Sequence, residues 1–295
     1  MAFDRLRPQP PRTPENTRHP ERASWYGAEA VARSRRVAER LSPAMDVAYG
    51  RGSEQRLDLY PASRPGAPIL VFFHGGAWAH GYKEWNGFMA APLCDAPILF
   101  VSPDYRLVPE HKFPAALDDA LAAVVWAYEH AREYGGDPAR LFVGGWSAGG
   151  TLAGLIGLRH ELHEAVGLPR GAVRGCVVTS SMFEIKASDP APGNRGWTYR
   201  DFFVPREGDD RAASPLHHVR TGAPPFFVSH SDADFPQIVT GGPIMVEALR
   251  AAGVPVRHRV YSGPDHYQAH LDLGDPSHDW VKTVRTWLTT GALPD

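Results

Sequence analysis

The stretch Leu141-Phe142-Val143-Gly144-Gly145-Trp146-Ser147-Ala148-Gly149-Gly150-Thr151-Leu152-Ala153 constrains this chain more than any other. An apolar run with strand character meets a run of small residues with helix character. The joint between them, Gly145-Trp146-Ser147-Ala148-Gly149, fits G-x-S-x-G. A serine held on a tight bend between strand and helix needs small neighbours, because backbone and helix must close around it. The bend lifts its hydroxyl above the sheet edge, at the N-terminus of the next helix. Unpaired N–H groups and the positive end of the helix dipole then face any negative charge that develops there. Five residues alone are a weak signal. The strand before them and the small-residue helix after them supply the context that the pattern requires. A phosphate-cradling loop is a poor fit, since no Lys follows the glycines.

The rest of the chain repeats this strand–turn–helix texture. Beta-rich runs stand at Met45–Tyr49, Arg56–Tyr60, Ile69–Phe73, Ile98–Ser102, Leu141–Gly144, Cys176–Thr179, Pro225–Ser229 and Val256–Tyr261. Helices fit between them at 84–93, 114–134, 148–163, 238–252 and 276–289. Buried strands alternating with crossover helices predict an α/β fold, a mostly parallel eight-stranded sheet with helices on both faces. Residues 1–20 are rich in Pro and Arg, cannot pack a core, and read as an irregular arm. Trp25, Tyr26, Ala30, Val31, Val37 and Leu41 then form a helical stripe. That helix and the 183–219 insertion, with Trp197, Tyr199, Phe202 and Phe203, are candidates for a small lid or cap. Residues 21–295 are expected to form one domain, and 295 residues are enough for a full core.

Composition excludes several classes. A net charge of -2 leaves no electrostatic footprint for nucleic acid or an anionic membrane. Cys94 and Cys176, the two cysteines, make no disulfide framework. The start has no apolar signal region, and no stretch approaches the roughly 18 apolar residues of a membrane span. A cytoplasmic protein is the expectation.

A second glycine turn, His74-Gly75-Gly76-Ala77-Trp78, follows the apolar run Ile69–Phe73. Acyl transfer builds negative charge on a carbonyl oxygen, and N–H donors preset for that oxygen lower the barrier by several kcal/mol. One donor is expected from Ala148, the residue after the serine, and another from Gly75 or Gly76. His74 reads as a residue that orients this loop. Trp78 and Trp146, beside the loop and the serine, are candidate substrate contacts.

These two motifs, with Asp104-Tyr105-Arg106-Leu107-Val108-Pro109-Glu110-His111-Lys112-Phe113-Pro114-Ala115-Ala116-Leu117-Asp118-Asp119 between them, resemble the hormone-sensitive-lipase-like esterases from about residue 55 to 270. The resemblance implies the α/β-hydrolase fold and a serine carboxylesterase without a cofactor. The chain departs from that family at Ala77, where a third Gly is usual, and at Trp146, where an Asp is usual. There it is similar to the kynurenine-formamidase-like and feruloyl-esterase-like hydrolases. In the middle segment, Arg106, Glu110 and Asp118 are expected to form a polar network behind the glycine loop.

A serine nucleophile needs a general base, and His suits that task near neutrality. With 14 histidines, position must choose. In this fold the order is Ser, then Asp or Glu, then His on the loop after the last core strand. His266 stands there, in Ser262-Gly263-Pro264-Asp265-His266, with His270 in reserve. The orienting acid should end the preceding strand, where His230-Ser231-Asp232-Ala233-Asp234-Phe235-Pro236 offers two carboxylates. Asp234 is favoured, since related hydrolases often place their acid before a bulky apolar residue and Pro. Asp232 is the rival. The expected catalytic set is Ser147, His266 and Asp234, with Gly75, Gly76 and Ala148 for the oxyanion and no metal. It would act on a small or aryl ester. An arylformamide or small-amide hydrolase with the same residues, and a non-catalytic ligand-binding protein on this scaffold, are the rival readings. A homodimer is open to the chain by fold-level analogy.

Overall fold

The computed structural model describes residues 19–191 and 196–294. Most of the expected arm at 1–20 lies outside the described residues, as does part of the insertion. The strands are β1 Ala44–Ala48, β2 Arg56–Tyr60, β3 Ala67–Phe73, β4 Leu99–Pro103, β5 Gly136–Trp146, β6 Val173–Thr179, β7 Phe226–Ala233 and β8 Val256–Asp265. They form one eight-stranded sheet in the order β1-β2-β4-β3-β5-β6-β7-β8. β2 pairs antiparallel with β1 and β4, and every other neighbouring pair is parallel. The helices are α1 Pro20–Leu41, α2 Ala90–Cys94, α3 Ala115–His130, α4 Ala148–Leu158, α5 His160–Ala165, α6 Tyr199–Phe202, α7 Asp209–Ala212, α8 Pro236–Ala251, α9 His266–Leu271 and α10 Asp279–Thr290.

Strand β3 explains why its run is apolar without alternation. Ile69, Val71 and Phe73 point into a core that also holds side chains of α3, α4 and α8. Leu70 and Phe72 point into a second core, shared with α1, α2 and α10. A strand covered on both faces has no solvent side, so period 2 disappears from its sequence.

Boundaries moved where side chains or turns intervene. The helix expected at 84–93 is two 3₁₀ turns, Lys83–Trp85 and Gly87–Met89, followed by the short α2. Between the turns, Asn86 Nδ2 donates to the Phe72 carbonyl and the Ser102 hydroxyl, each at 3.0 Å. The helix expected at 148–163 breaks at Arg159, whose φ of -103° and ψ of 71° are not helical. The 183–219 insertion carries α6 and α7, yet Phe183, Ile185, Tyr199, Phe203 and Val204 are buried in the α3/α4 core. Of its expected aromatic cluster, Trp197 is exposed. Among the described residues, no helix is long and apolar enough to cross a membrane.

Candidate active site

The parallel strands β3, β5 and β7 bring their C-terminal ends to one edge of the sheet, where the site assembles. Ser147 follows β5 and caps α4, with φ 57° and ψ -126°. Its N–H donates to the Thr179 carbonyl of β6 at 3.0 Å, which pins the bend to the neighbouring strand. A side chain on Gly149 has no room, since its Cβ would stand 2.1 Å from the Phe73 carbonyl oxygen. The close crossing of β3 and α4 holds the serine at the sheet edge.

The three expected residues meet. His266 Nε2 lies 3.1 Å from Ser147 Oγ. His266 Nδ1 lies 2.7 Å from Asp234 Oδ1. Asp234 is 8 % exposed and His266 4 %, so the pair works out of bulk water. Burial alone would raise the Asp234 carboxyl. The charge and hydrogen bond of His266 outweigh it, and the carboxyl is held below its ordinary value. Asp234 Oδ1 also accepts the Phe235 N–H at 2.7 Å, which fixes its rotamer.

The rival acid Asp232 and the reserve base His270 are engaged elsewhere, as is Asp265. Asp232 faces solvent and accepts from the Ser262 hydroxyl at 2.7 Å and the Gly263 N–H at 2.9 Å, so it braces the turn before His266. Asp265 caps α9 by accepting the Gln268 N–H, and pairs with Arg22 through two bonds of 2.6 and 3.0 Å. His270, the reserve base, is fully buried and bonded to the Tyr26 hydroxyl at 2.8 Å.

The glycine loop lies against the serine. A Cβ on Gly75 would stand 2.9 Å from Ser147 Cβ and 2.4 Å from the Trp146 ring, so only glycine lets this backbone approach. Among the described residues, no backbone carbonyl accepts from the Gly75 or Gly76 N–H. Ala148 opens α4, where first-turn N–H groups have no partner within the helix. Ala77 and Trp78 both have positive φ, 53° and 59°. Interactions around the loop hold this costly backbone. His74 is buried, its Nδ1 lies 2.7 Å from the Gly75 carbonyl, and its ring stacks on Tyr105 at 4.2 Å. The Tyr105 hydroxyl donates to the His74 carbonyl at 2.8 Å.

Both tryptophans expected to contact substrate are buried. Trp78 stacks on Phe203 of the insertion at 4.1 Å, with Tyr199 edge-on at 6.4 Å. Trp146 packs against His266 at 4.7 Å and stacks on His270 at 4.5 Å. Phe235 also stacks on His266, at 4.4 Å. Phe235, Tyr26 and Trp85 pack against His266, Trp146 and His74 respectively, and no motif singled them out for the site. The bulky-residue–Pro pattern after Asp234 was the available signal for Phe235.

The expected polar network behind the loop needs one correction. Glu110 and Asp118 are exposed. The partner of Arg106 is the adjacent Asp119, buried at 1 % and bonded to Arg106 Nε and a terminal guanidinium nitrogen at 2.8 Å each. Asp119 also accepts from Gln55 at 2.8 Å. One helical position turns the carboxylate from solvent to core.

A second buried cluster lies beneath the loop. Lys83 Nζ meets Asp46 at 2.8 Å, Asp58 at 3.0 Å and Glu84, while its N–H donates to Asp104. One buried cation faces two buried carboxyls, and burial lifts Asp58 from 3.8 to about 7 against the pull of Lys83. Native Asp58 thus keeps a proton that the unfolded chain has released. Its stabilising contribution is complete below 3.8 and is lost as pH rises to about 7. Asp58→Asn mimics the protonated form. Between about pH 5 and pH 8 the parent's urea midpoint should fall relative to that variant. Parallel curves would refute the assignment.

The fold has known counterparts. A family model described as the alpha/beta hydrolase fold matches residues 70–270, and the chain belongs to that family. It is 31% identical over 264 residues to the esterase LipC of Mycobacterium tuberculosis (strain ATCC 25618 / H37Rv), covering 84% of this chain and 62% of that one. It is 28% identical over 274 residues to the probable isoprenylcysteine alpha-carbonyl methylesterase ICMEL1 of Arabidopsis thaliana, covering 84% of this chain and 56% of that one. A third match, to the carboxylic ester hydrolase LipN of the same Mycobacterium strain, is 48% identical over 98 residues, covering 32% of this chain and 26% of that one. The chain thus spans less than two thirds of the length of these relatives. Among solved structures, the carboxylesterase EstE1, cloned from a metagenomic library, superposes with a TM-score of 0.68 at 23% identity, covering 92% of this chain and 98% of that one. That is a likeness of fold.

Proposed function

We propose that this chain is a serine carboxylic ester hydrolase acting on a small or aryl ester. The observation that carries this reading is the line from Ser147 Oγ through His266 to Asp234, with spans of 3.1 and 2.7 Å, beside a glycine loop that nearly touches the serine. In this reading Ser147 attacks the ester carbonyl as His266 Nε2 takes its proton. The N–H groups of Ala148 and of Gly75 or Gly76 hold the oxyanion. His266 then protonates the leaving alcohol, and an acyl-enzyme remains on Ser147. Water, deprotonated by the same imidazole, releases the acid. Asp234 keeps the imidazole in the right tautomer and stabilises its charged form. The groups needed are two side chains, the serine and backbone, so no cofactor enters. The esterase names of the relatives support ester over amide.

The test is a panel of aryl and alkyl esters of graded acyl length, beside matched amides and N-formyl anilines. Esters should be turned over fastest. Preference for the amides or formanilides would move the reading to an amidase with the same residues. A folded protein that turns over none of them would be a binding protein on this scaffold.

A further inference from the structure

The imidazole of His266 packs against two aromatic rings, and one of them is backed by a chain of contacts that ends on the N-terminal helix. Phe235 stacks on it at 4.4 Å and Trp146 packs against it at 4.7 Å, tilted by 31°. Behind Trp146, the ring of His270 stacks at 4.5 Å, only 14° from parallel. His270 Nδ1 shares a hydrogen bond of 2.8 Å with the hydroxyl of Tyr26, on α1. Tyr26 also packs on Trp146 and on Tyr267, the residue after His266, with ring centroids 5.1 and 5.4 Å away. The helix carrying Tyr26 is tied to the same loop elsewhere. Arg22 grips Asp265, the residue before His266, and Arg33 donates to the Leu271 carbonyl at 3.2 Å.

We infer that Tyr26 and His270 are positioning residues for the general base, acting through Trp146 to hold the His266 imidazole in line with Ser147. This rests on the reading of Ser147, His266 and Asp234 given above. Proton transfer requires His266 Nε2 within hydrogen-bond reach of the serine through the whole reaction, and small misplacements are costly. A ring stacked on one side by Phe235 alone could tilt away. Trp146 prevents this only if it is itself backed. His270 backs it, and the bond to Tyr26 satisfies a polar atom in a fully buried ring. A second imidazole so close to the base suits this role only when neutral. Complete burial, reinforced by the charge that forms on His266, holds His270 well below 6.5. It therefore adds no repulsion when His266 takes up its proton. The relay also gives Trp146 a purpose at the position where related esterases carry an acid.

A double-mutant cycle tests this. Tyr26→Phe and His270→Phe each keep an aromatic ring but break the hydrogen bond between the two residues, and Tyr26→Phe takes the hydroxyl from Nδ1 of a fully buried ring. The double variant removes both atoms and keeps both rings. Each single variant should lose roughly 5- to 10-fold in kcat with KM within twofold, and the double variant should recover to within about twofold of the parent. The low-field proton NMR resonance of the His266–Asp234 hydrogen bond gives a readout that needs no substrate. It should shift or broaden in each single variant and return in the double. A fall in Tm with unchanged kcat and an unchanged resonance would reduce Tyr26 and His270 to ordinary core residues and overturn the inference. Should the parent turn over no acyl substrate, the functional reading falls, while the resonance still decides for or against the relay.

Discussion

Ser147→Ala is expected to lower turnover of the best substrate by about 10⁵- to 10⁶-fold while leaving the protein folded. The size follows from what the variant lacks. Without Oγ there is no atom to form the acyl-enzyme, and His266 has no proton to take. The backbone donors of the glycine loop and of Ala148 persist, so a residual rate above the uncatalysed reaction is expected. The fold should persist because the bend does not depend on the hydroxyl. It is held by the Ser147 N–H to Thr179 bond and by the crossing of α4 over the Phe73 carbonyl, both of which alanine keeps. The check is initial-rate kinetics with matched urea unfolding. Activity surviving at even a hundredth of the parent would remove Ser147 from its role.

Asp234→Asn is expected to lower kcat by about 10⁴-fold, and Asp232→Asn to change it by no more than about threefold. The two carboxylates stand two residues apart, Asp232 in β7 and Asp234 just past its end, and their surroundings separate them. Asp234 is buried and accepts from His266 Nδ1 at 2.7 Å. An amide there can present its N–H₂ to the ring and select the wrong tautomer, leaving Nε2 protonated and unable to accept from Ser147. Asp232 is exposed and braces Ser262 and Gly263, so its loss removes two surface hydrogen bonds. The two variants should be compared at saturating substrate. A larger loss in Asp232→Asn would transfer the role of acid to it.

The fold was legible because its signals are local. Unbroken apolar runs, glycine turns and helical stretches repeat along the chain, and the eight strands formed where those runs stand. Strand ends were less legible. β5 runs from Gly136 to Trp146 although only its centre is uniformly apolar, and β8 continues through Ser262-Gly263-Pro264 to Asp265. Pairing with a neighbouring strand extends both beyond what composition implies. The helix at 84–93 failed for a related reason, as Asn86 spends its amide on β3 and β4 side-by-side partners rather than on its own turn.

By itself the sequence determined the class of fold, the elbow around Ser147, the glycine loop and the loop bearing His266, because each is encoded by neighbouring residues whose size and backbone freedom allow one local shape. Tertiary structure decided everything that depends on direction across the sheet. It separated Asp234 from Asp232, chose Asp119 over Asp118, buried Trp78 and Trp146, and brought Tyr26 to His270 across 244 residues of chain. Asp232 lies in β7 and Asp234 one residue past its end, so the turn after the strand parts them, and contact between distant segments follows from how whole elements pack. Neither is written in the spacing of any one motif. The serine elbow with which the sequence constrains this chain therefore points to Ser147, while the aromatic rings and the carboxylate around His266 emerge only from the folded sheet.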